Sequence, residues 1–341
     1  MQPVSIGLVG LNFGRHICEE LTSPSNAFAR LARVCDVDQE KACAVAEQFH
    51  VPAAPSLEAL LVDPDIEAIG LFTGPNGRAE LIRRIIRAGK DVMTTKPFEV
   101  DPTAALAVLQ EAKALGRVIH LNSPNPRPYG EMAVIDAWLS AGVIGHPTLA
   151  QSSVWCYYGP TAADGSWYDD PLRCPVAPIF RLGIYPLNGL LTIFSDPVSI
   201  QVTHTRVETQ RITPDNAAAT IRFADGAIVN LLASFVVGGN DYYKNSLTLC
   251  GTKGVIYYQV GPRPREGSWT SNLQLATEDG IEERTVTCHA GEYDWEFFAH
   301  RVRKEVAEDQ TTPAQIVSAI RIMQAMSRAE SSGETVRIGK E

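Results

Sequence analysis

Lys96 is the residue whose position most calls for a chemical reason. It follows an apolar run, Asp91 to Met93, that is typical of the end of a buried strand, and Pro97 comes directly after it. Lysine is rarely buried fully unless it is paired or has a task. Burial or a nearby cation lowers the pKa of a lysine, which then can take or give the hydroxyl proton of an alcohol. We therefore interpret Lys96 as a candidate acid–base residue.

The stretch GLVGLNFGR, residues 7–15, partly matches the glycine-rich motif of a dinucleotide-binding turn. Gly10 supplies the first glycine, Asn12 stands at the second position and Gly14 comes one residue before the usual third. Asn tolerates a positive φ best among the residues other than glycine, so the turn is expected to form. The helix N-terminus that follows would attract a pyrophosphate, with Phe13 among the contacts. A glycine-rich turn without a nucleotide stays open as an alternative.

Asp36 is the second cofactor candidate. It ends a predicted strand 26 residues after Gly10, near the spacing at which an acid holds the adenosine ribose hydroxyls. A carboxylate there would repel a 2′-phosphate, and Asp38 adds to this effect. The sequence thus favours NAD over NADP, although Asp36 alone is equally well read as a solvated turn residue.

The first third of the chain alternates strands and helices, which predicts an N-terminal Rossmann-type parallel sheet. The first helix is expected from about Arg15 to Leu21. Asp36, Thr73 and Lys96 each lie at or just past the end of a predicted strand, where ligands bind in open α/β sheets.

The remainder of the chain predicts an α+β domain with an open, mainly antiparallel sheet. In the stretch NAAATIRFADGAIVNLLASF, Asp225-Gly226 separates two alternating runs, which is a strong hairpin signal. The proline-rich segment 122–130 places the domain boundary, giving domains 1–123 and 124–341. The segment from Trp295 to Ala329 is helical by pattern, and this C-terminal helix is expected to pack back on the first domain. The open sheet face is the expected surface of a homodimer or homotetramer.

Composition excludes several classes of function. The net charge of −9 over 341 residues argues against a nucleic-acid or anionic-membrane partner. No apolar run is long enough to span a bilayer, and no secretory leader is expected. The seven cysteines are scattered, which favours reduced thiols and a cytoplasmic location. The histidines have no metal-ligand spacing, so no metal site is predicted.

Motifs along nearly the whole chain resemble the Gfo/Idh/MocA oxidoreductase family. They are GLVGLNFG, CDVD, TGPNGRAE, TTKPFE, LGIYPLN and GTKG. The resemblance implies NAD(P) in the N-terminal domain and a sugar, inositol or related polyol or ketone as substrate. It also implies cofactor contacts from Thr73, Lys96 and Pro97, with a cis peptide before Pro97.

The chain departs from the family's motifs at four positions. Thr95 replaces the glutamate before the lysine, Arg181 an aspartate, Asn188 a later aspartate and Arg78 a histidine. Lys96 is kept, and the acid–base position is Tyr185. The expected catalytic pair is therefore Lys96 and Tyr185, and the expected substrate-binding residues are Lys96, Arg181, Tyr185, Asn188 and Asn122.

These patterns favour an NAD-dependent oxidoreductase that acts on a sugar, a polyol or a sugar acid. Two alternatives stay open: a non-catalytic NAD- or sugar-binding protein, and an NAD-dependent redox-cycling glycoside hydrolase. Arg181 predicts an anionic group on the substrate, because its planar fork suits a carboxylate. The competing interpretation pairs Arg181 with a structural acid, namely Asp164, Asp169 or Asp170. Five aromatic residues are read as core or interface packing or as the wall of a sugar pocket: Trp155, Tyr157, Tyr158, Trp167 and Tyr168.

Overall fold

The computed structural model describes residues 2–128, 130–157, 167–238, 243–261, 269–287, 293–306 and 312–339. The chain divides into two compact units. The first contains Met1–Pro126 and Gly291–Ala314, and the second contains Arg127–Ala290 and Gln315–Glu341.

In its described part, the first unit holds one parallel sheet with the order β2-β1-β3-β4-β5. Its strands are β1 (Val4–Val9), β2 (Ala29–Cys35), β3 (Ala68–Leu71), β4 (Asp91–Thr94) and β5 (Ile119–Leu121). Every residue of β1, β3 and β4 is buried, as in a sheet that is covered on both faces. The predicted Rossmann-type sheet is confirmed.

The helices of the first unit begin at local signals. They are α1 (Leu11–Thr22), α2 (Gln39–Phe49), α3 (Leu57–Val62), α4 (Arg78–Arg87), α5 (Pro102–Ala114) and α8 (Trp295–Val302). Asp38 and Asp101 cap α2 and α5 with their side chains. The short helix α3, capped by Ser56, was not predicted.

Two predicted helix boundaries are wrong. The first helix begins at Leu11 and not near Arg15, because Gly10 at φ 89° turns the chain at once. The predicted helix from Trp295 to Ala329 is interrupted: α8 ends at Val302, and α9 (Pro313–Ser332) begins at a proline. Proline lacks the N–H of a helix interior and is favoured in the first turn.

In its described part, the second unit holds a sheet with the order β13-β12-β11-β10-β6-β9-β8-β7-β14. Its strands are β6 (Pro147–Trp155), β7 (Pro197–Thr205), β8 (Asn216–Phe223), β9 (Ile228–Ser234), β10 (Lys244–Gly251), β11 (Gly254–Val260), β12 (Thr270–Thr277), β13 (Gly280–Thr287) and β14 (Val336–Arg337). The pair β6–β9 is parallel and the other neighbouring pairs are antiparallel. The mainly antiparallel sheet and the Asp225-Gly226 hairpin are confirmed.

Helices α6 (Glu131–Ser140) and α7 (Ile184–Ile193) complete the second unit, together with most of α9. One face of the sheet carries exposed apolar side chains near its centre. Leu149 and Ile228 lie opposite each other on β6 and β9, at 41% and 37% exposure. Leu232 and Tyr257 continue the same face at 40% and 43% exposure.

Candidate functional site

The carboxyl ends of the five parallel strands meet along one line of the first unit, the carboxyl edge. The last paired row across the sheet is Cys35, Val9, Leu71, Thr94 and Leu121. The predicted residues of the first unit follow this row within one or two positions: Asp36, Gly10, Thr73, Lys96 and Asn122. The fold therefore brings these residues to one edge, as expected for open α/β sheets.

Gly10 is required at its position for two reasons. Its φ is +89°, and a Cβ there would lie 2.9 Å from the carbonyl carbon and oxygen of Phe72. Gly14 lies in α1, where an added Cβ would lie 3.3 Å from a methyl of Leu8 on β1. Asn12 lies inside α1 and is not among the residues with positive φ. The expected use of a positive φ at Asn12 is therefore wrong, because the turn is made by Gly10 alone.

The N-terminus of α1 fits an anionic ligand. The helix has no side-chain cap from its N-cap residue and no acid in its first turn. Asn12 and Phe13 are exposed there, Phe13 at 41%. Amides in the first turn of a 12-residue helix carry partial positive charge and point toward an incoming anion. These features fit the diphosphate of a dinucleotide.

Asp36 is buried and ties the second strand to this turn. Its Oδ2 accepts from the Leu11 amide at 2.7 Å, and its Oδ1 accepts from the Asp38 amide at 3.0 Å. A carboxylate has about four lone-pair sites, so capacity for ribose hydroxyls remains. Lys41, which the sequence did not single out, places Nζ 3.8 Å from Asp36 Oδ1 and donates to Asn12 Oδ1 at 2.8 Å.

Lys96 lies in the segment that follows β4 and is half-buried. Its two chain neighbours, Thr95 and Pro97, are each held in a defined geometry. The Lys96–Pro97 peptide is cis, which confirms that prediction. The hydroxyl of Tyr293 donates to Thr95 Oγ1 at 2.8 Å, in the position where the motif carries a glutamate. The Tyr293 ring in turn contacts Phe72, with ring centroids 5.3 Å apart.

Two buried charged residues near Lys96, Arg78 and Glu99, were not predicted to belong to the site. Each is 1% exposed. The guanidinium of Arg78 donates to backbone carbonyls around Lys96, and Glu99 accepts from amides at the start of α4. A signal for Arg78 existed, because it lies four residues before the buried Ile82 on the same helix face. Glu99 and Tyr293 carry no such periodic signal.

Asn122 follows β5 and is 7% exposed. Within the described part of the chain its Oδ1 is buried and has no hydrogen-bond partner. A buried carbonyl oxygen left without a donor costs about 1–3 kcal/mol. A ligand N–H or O–H at the carboxyl edge would offset that cost.

In the second unit, Arg181, Tyr185 and Asn188 lie on one helical stretch. A π-helix over Ile179–Gly183 continues directly into α7. Pro186 has no N–H to donate to the preceding turn, and proline favours a locally widened helix. Asn188 is buried at 4% exposure, while Arg181 and Tyr185 are partly exposed.

The Arg181 guanidinium lies against aromatic rings. Its carbon is 3.7 Å from the ring centroid of Tyr168 and 4.9 Å from that of Phe235. Burial raises the pKa of Tyr168, so its phenol stays protonated at neutral pH. Stacking of this kind restrains the plane of a guanidinium.

The acids considered as partners of Arg181 have the following contacts. Asp169 accepts from Arg211 at 2.6 Å, and Asp170 lies 3.5 Å from Arg173. Asp164 lies outside the described residues, as does Tyr158 of the aromatic group.

Across the ranges described above, no cluster of three or more His, Cys, Asp or Glu side chains is arranged to hold a metal ion. None of the helices in those ranges is both long and apolar enough to cross a membrane. The glycine turn, the open helix end and Asp36 define a dinucleotide-binding α/β protein.

Comparison with known families agrees with this class. Residues 4–123 match the model of the oxidoreductase family with an NAD-binding Rossmann fold. Residues 132–257 match the GFO/IDH/MocA C-terminal domain. The chain belongs to the GFO/IDH/MocA oxidoreductase family, and its first domain is an NAD-binding Rossmann domain.

Individual relatives resemble the chain over its full length. It is 24% identical to the inositol 2-dehydrogenase/D-chiro-inositol 3-dehydrogenase of Lacticaseibacillus casei, over 98% of this chain and 94% of that protein. A protein of Desulfitobacterium hafniense described as an NADPH-dependent oxidoreductase has a TM-score of 0.81 at 17% identity, covering 99% of this chain and 98% of that one. Levoglucosan dehydrogenase in complex with NADH and L-sorbose has a TM-score of 0.75 at 17% identity, covering 100% of both chains. At these identities the solved structures establish the fold.

Proposed function

We propose that the protein transfers a hydride between NAD and a carbinol or carbonyl carbon of a sugar, a polyol or a sugar acid. The observation that carries this proposal is the common carboxyl edge, where a turn, a carboxylate and a lysine meet. Such an edge is the usual ligand crevice of a parallel sheet. The inositol and levoglucosan dehydrogenases named above support the substrate class.

The cofactor contacts follow from the positions of the side chains. The diphosphate binds at the N-terminus of α1, with Gly10, Asn12, Phe13 and Gly14 around the turn. Asp36 accepts from the adenosine ribose hydroxyls and disfavours a 2′-phosphate. Thr73, Lys96 and Pro97 border the nicotinamide end. The bound nicotinamide supplies the hydride acceptor or donor.

Lys96 takes or gives the hydroxyl proton of the substrate, with Tyr185 as its partner. Lysine and tyrosine are both side chains that serve as general acids or bases. Asn122 offers its buried Oδ1 to a substrate hydroxyl, and Asn188, a buried residue of α7, contributes a further amide. Lys96 and Tyr185 are the two groups in this set that can hold the transferred proton, whereas the asparagines only hydrogen-bond the substrate.

Arg181 selects an anionic substrate group. Its guanidinium is held against Tyr168 and Phe235, which pre-orients the donor fork. A charged hydrogen bond contributes about 1.5–3 kcal/mol. Arg181→Gln is therefore expected to raise KM for a sugar acid about tenfold to a hundredfold and to leave KM for a neutral polyol nearly unchanged. Arg173→Gln, an exposed arginine of the same region, is the matched control.

The test begins with native mass spectrometry of the purified protein, to detect retained nucleotide. A screen of neutral polyols, aldoses and sugar acids then follows NADH absorbance. Net NADH formation supports the dehydrogenase. Glycosidic cleavage with no net NADH indicates the redox-cycling hydrolase, and nucleotide or sugar binding without either indicates a non-catalytic protein. Turnover of neutral polyols alone would end the proposed role of Arg181.

The assembly and location belong to the same proposal. The first unit serves as the cofactor domain and the second as the substrate and oligomerisation domain of a cytoplasmic homodimer or homotetramer. The exposed apolar residues on the open face of the second sheet support this interface. Light scattering on the wild type and on Leu232→Glu tests it, with dissociation expected for the variant.

A further inference from the structure

The four residues from Thr95 to Phe98, here called the Lys96 loop, are anchored by one buried side chain. Arg78 Nη1 donates to the carbonyl of Thr95 at 2.6 Å and to that of Phe98 at 3.3 Å, and it also donates to Pro97. Its Nη2 donates to the carbonyl of Thr73, after β3. One guanidinium thus holds three of the four carbonyls in the loop and joins it to the neighbouring strand end.

Glu99 completes the anchor in the opposite direction. Its Oε2 accepts from the Ala79 amide at 2.8 Å, and its Oε1 accepts from the Gly77 amide at 3.3 Å and the Val100 amide at 2.7 Å. The N-cap residue of α4 is Gly77, which has no side chain to cap the helix. Arg78 therefore reaches from α4 to the loop, and Glu99, the residue directly after the loop, reaches back to α4. We call this pair the Arg78–Glu99 latch.

The latch fixes the backbone on both sides of Lys96. Arginine suits the task because five N–H donors in one rigid plane can bind several carbonyls, whereas a lysine offers a compact point charge. Reaction rates are sensitive to placement: a displacement of about 1 Å at a reacting group can cost about a hundredfold in rate. A lysine on an unanchored loop would sample many such displacements.

We propose that Arg78 is a positioning residue for the reaction, which acts by holding the Lys96 loop in the geometry that directs the lysine into the carboxyl edge. This inference rests on the proposed function, since it needs Lys96 to act in proton transfer. Position 78 is also one at which the chain departs from the family's motif, which carries a histidine there. The positioning role is therefore specific to the arginine of this chain.

The same unit offers a matched control. Lys90 is 7% exposed and donates to the carbonyls of Asp63 at 2.8 Å and Ile66 at 2.6 Å. It lies before β4, at the amino end of the sheet. Lys90→Met therefore removes a buried cation that binds carbonyls, as Arg78→Met does, without touching the Lys96 loop.

The experiment compares the wild type with Arg78→Met, Arg78→Lys and Lys90→Met. Thermal unfolding, NADH affinity by fluorescence titration, and kcat and KM are measured for each. We expect Arg78→Met to lower kcat about a hundredfold, with KM and NADH affinity within a few-fold of the wild type. Arg78→Lys should recover part of kcat, and Lys90→Met should lower Tm while kcat is kept.

Hydrogen–deuterium exchange of the peptide that spans residues 93–101 gives a readout without substrate. Exchange there should accelerate in Arg78→Met and stay at the wild-type rate in Lys90→Met. Equal kcat in the wild type and Arg78→Met, or unchanged exchange, would overturn the proposal. If Arg78→Met does not fold, Arg78→Lys decides, since a wild-type kcat in that variant would also overturn it.

The two proposals fail separately. If Lys96→Met keeps full turnover, the proposed chemistry is wrong whatever Arg78 does. If Lys96→Met is inactive and Arg78→Met keeps kcat, only the positioning role is wrong.

Discussion

Each edge of the five-stranded sheet contains a buried cation that donates to backbone carbonyls, but the two cations have different roles. At the amino edge, Lys90 is buried and donates to the carbonyls of Asp63 and Ile66. At the carboxyl edge, Arg78 is buried and donates to carbonyls on both sides of Lys96. Both cations satisfy backbone groups that would otherwise be costly to bury. The difference lies in what each one anchors.

At the amino edge the buried or partly buried carboxylates bind groups of the protein itself. Asp91 accepts from the Val118 amide at 2.7 Å, and Glu67 accepts from the Ser5 amide at 3.0 Å and from Arg303 at 2.5 Å. At the carboxyl edge, the open end of α1 and the Oδ1 of Asn122 offer capacity to a ligand. Burial of charge is therefore common to both edges, and the carboxyl edge is the one at which the N-terminus of α1 meets the strand ends.

The largest expected effect among the tests of this comparison comes from Glu99→Ala. It leaves the amides of Gly77 and Ala79 without their acceptor and should lower the free energy of unfolding by about 2–3 kcal/mol. Urea denaturation measures it. Asp38→Ala removes the exposed cap of α2 in the same unit and should cost about 1 kcal/mol. Equal losses in the two variants would mean that Glu99 is only an ordinary helix cap.

Asp36→Ala tests the ligand capacity of the carboxyl edge. NADH affinity should fall about tenfold to a hundredfold, because hydrogen bonds to a carboxylate are lost, while NADPH affinity changes less. Lys41→Ala should shift the preference the other way, since it removes a cation 3.8 Å from Asp36. Fluorescence titrations with both cofactors give the ratios. Equal NADH and NADPH affinities in the wild type would remove the assignment of Asp36.

The smallest effect is the pH dependence at the amino edge. Burial lowers the pKa of Lys90 below its usual 10.5, and the charge of Asp63 acts in the opposite direction. Between the folded pKa and 10.5 the unfolded chain binds more protons than the folded one. The wild type should therefore gain stability relative to Lys90→Met, by less than about 1 kcal/mol, as the pH rises through that window. Denaturation curves of both proteins at neutral and alkaline pH test this. The prediction is contradicted if the free energy of unfolding of the wild type falls relative to that of Lys90→Met as the pH rises.

Local patterns predicted the parts of the molecule that local physics decides. The apolar strands, the Asp225-Gly226 hairpin and the glycine turn after β1 each follow from a few adjacent residues. The start of α1 was placed too late because Gly10 turns the chain directly into the helix, and because the acceptor for the Leu11 amide, Asp36, lies 25 positions further along the chain.

Local sequence patterns could not predict the side chains that anchor the Lys96 loop. Tyr293 reaches Thr95 across 198 positions of the chain, and no periodicity links the two. Arg78 has a signal for burial, but its four carbonyl partners are set by how two loops meet in the folded unit.

The most direct test of the account is the substitution Lys96→Met, measured with the best substrate of the screen. We expect kcat to fall by about a hundredfold to ten-thousandfold, the usual contribution of a positioned acid–base group. NADH affinity should stay within several-fold of the wild type and the fold should be intact. A variant that turns over at the wild-type rate, or one that simply fails to fold, would contradict the account and make Lys96 a structural residue like Lys90.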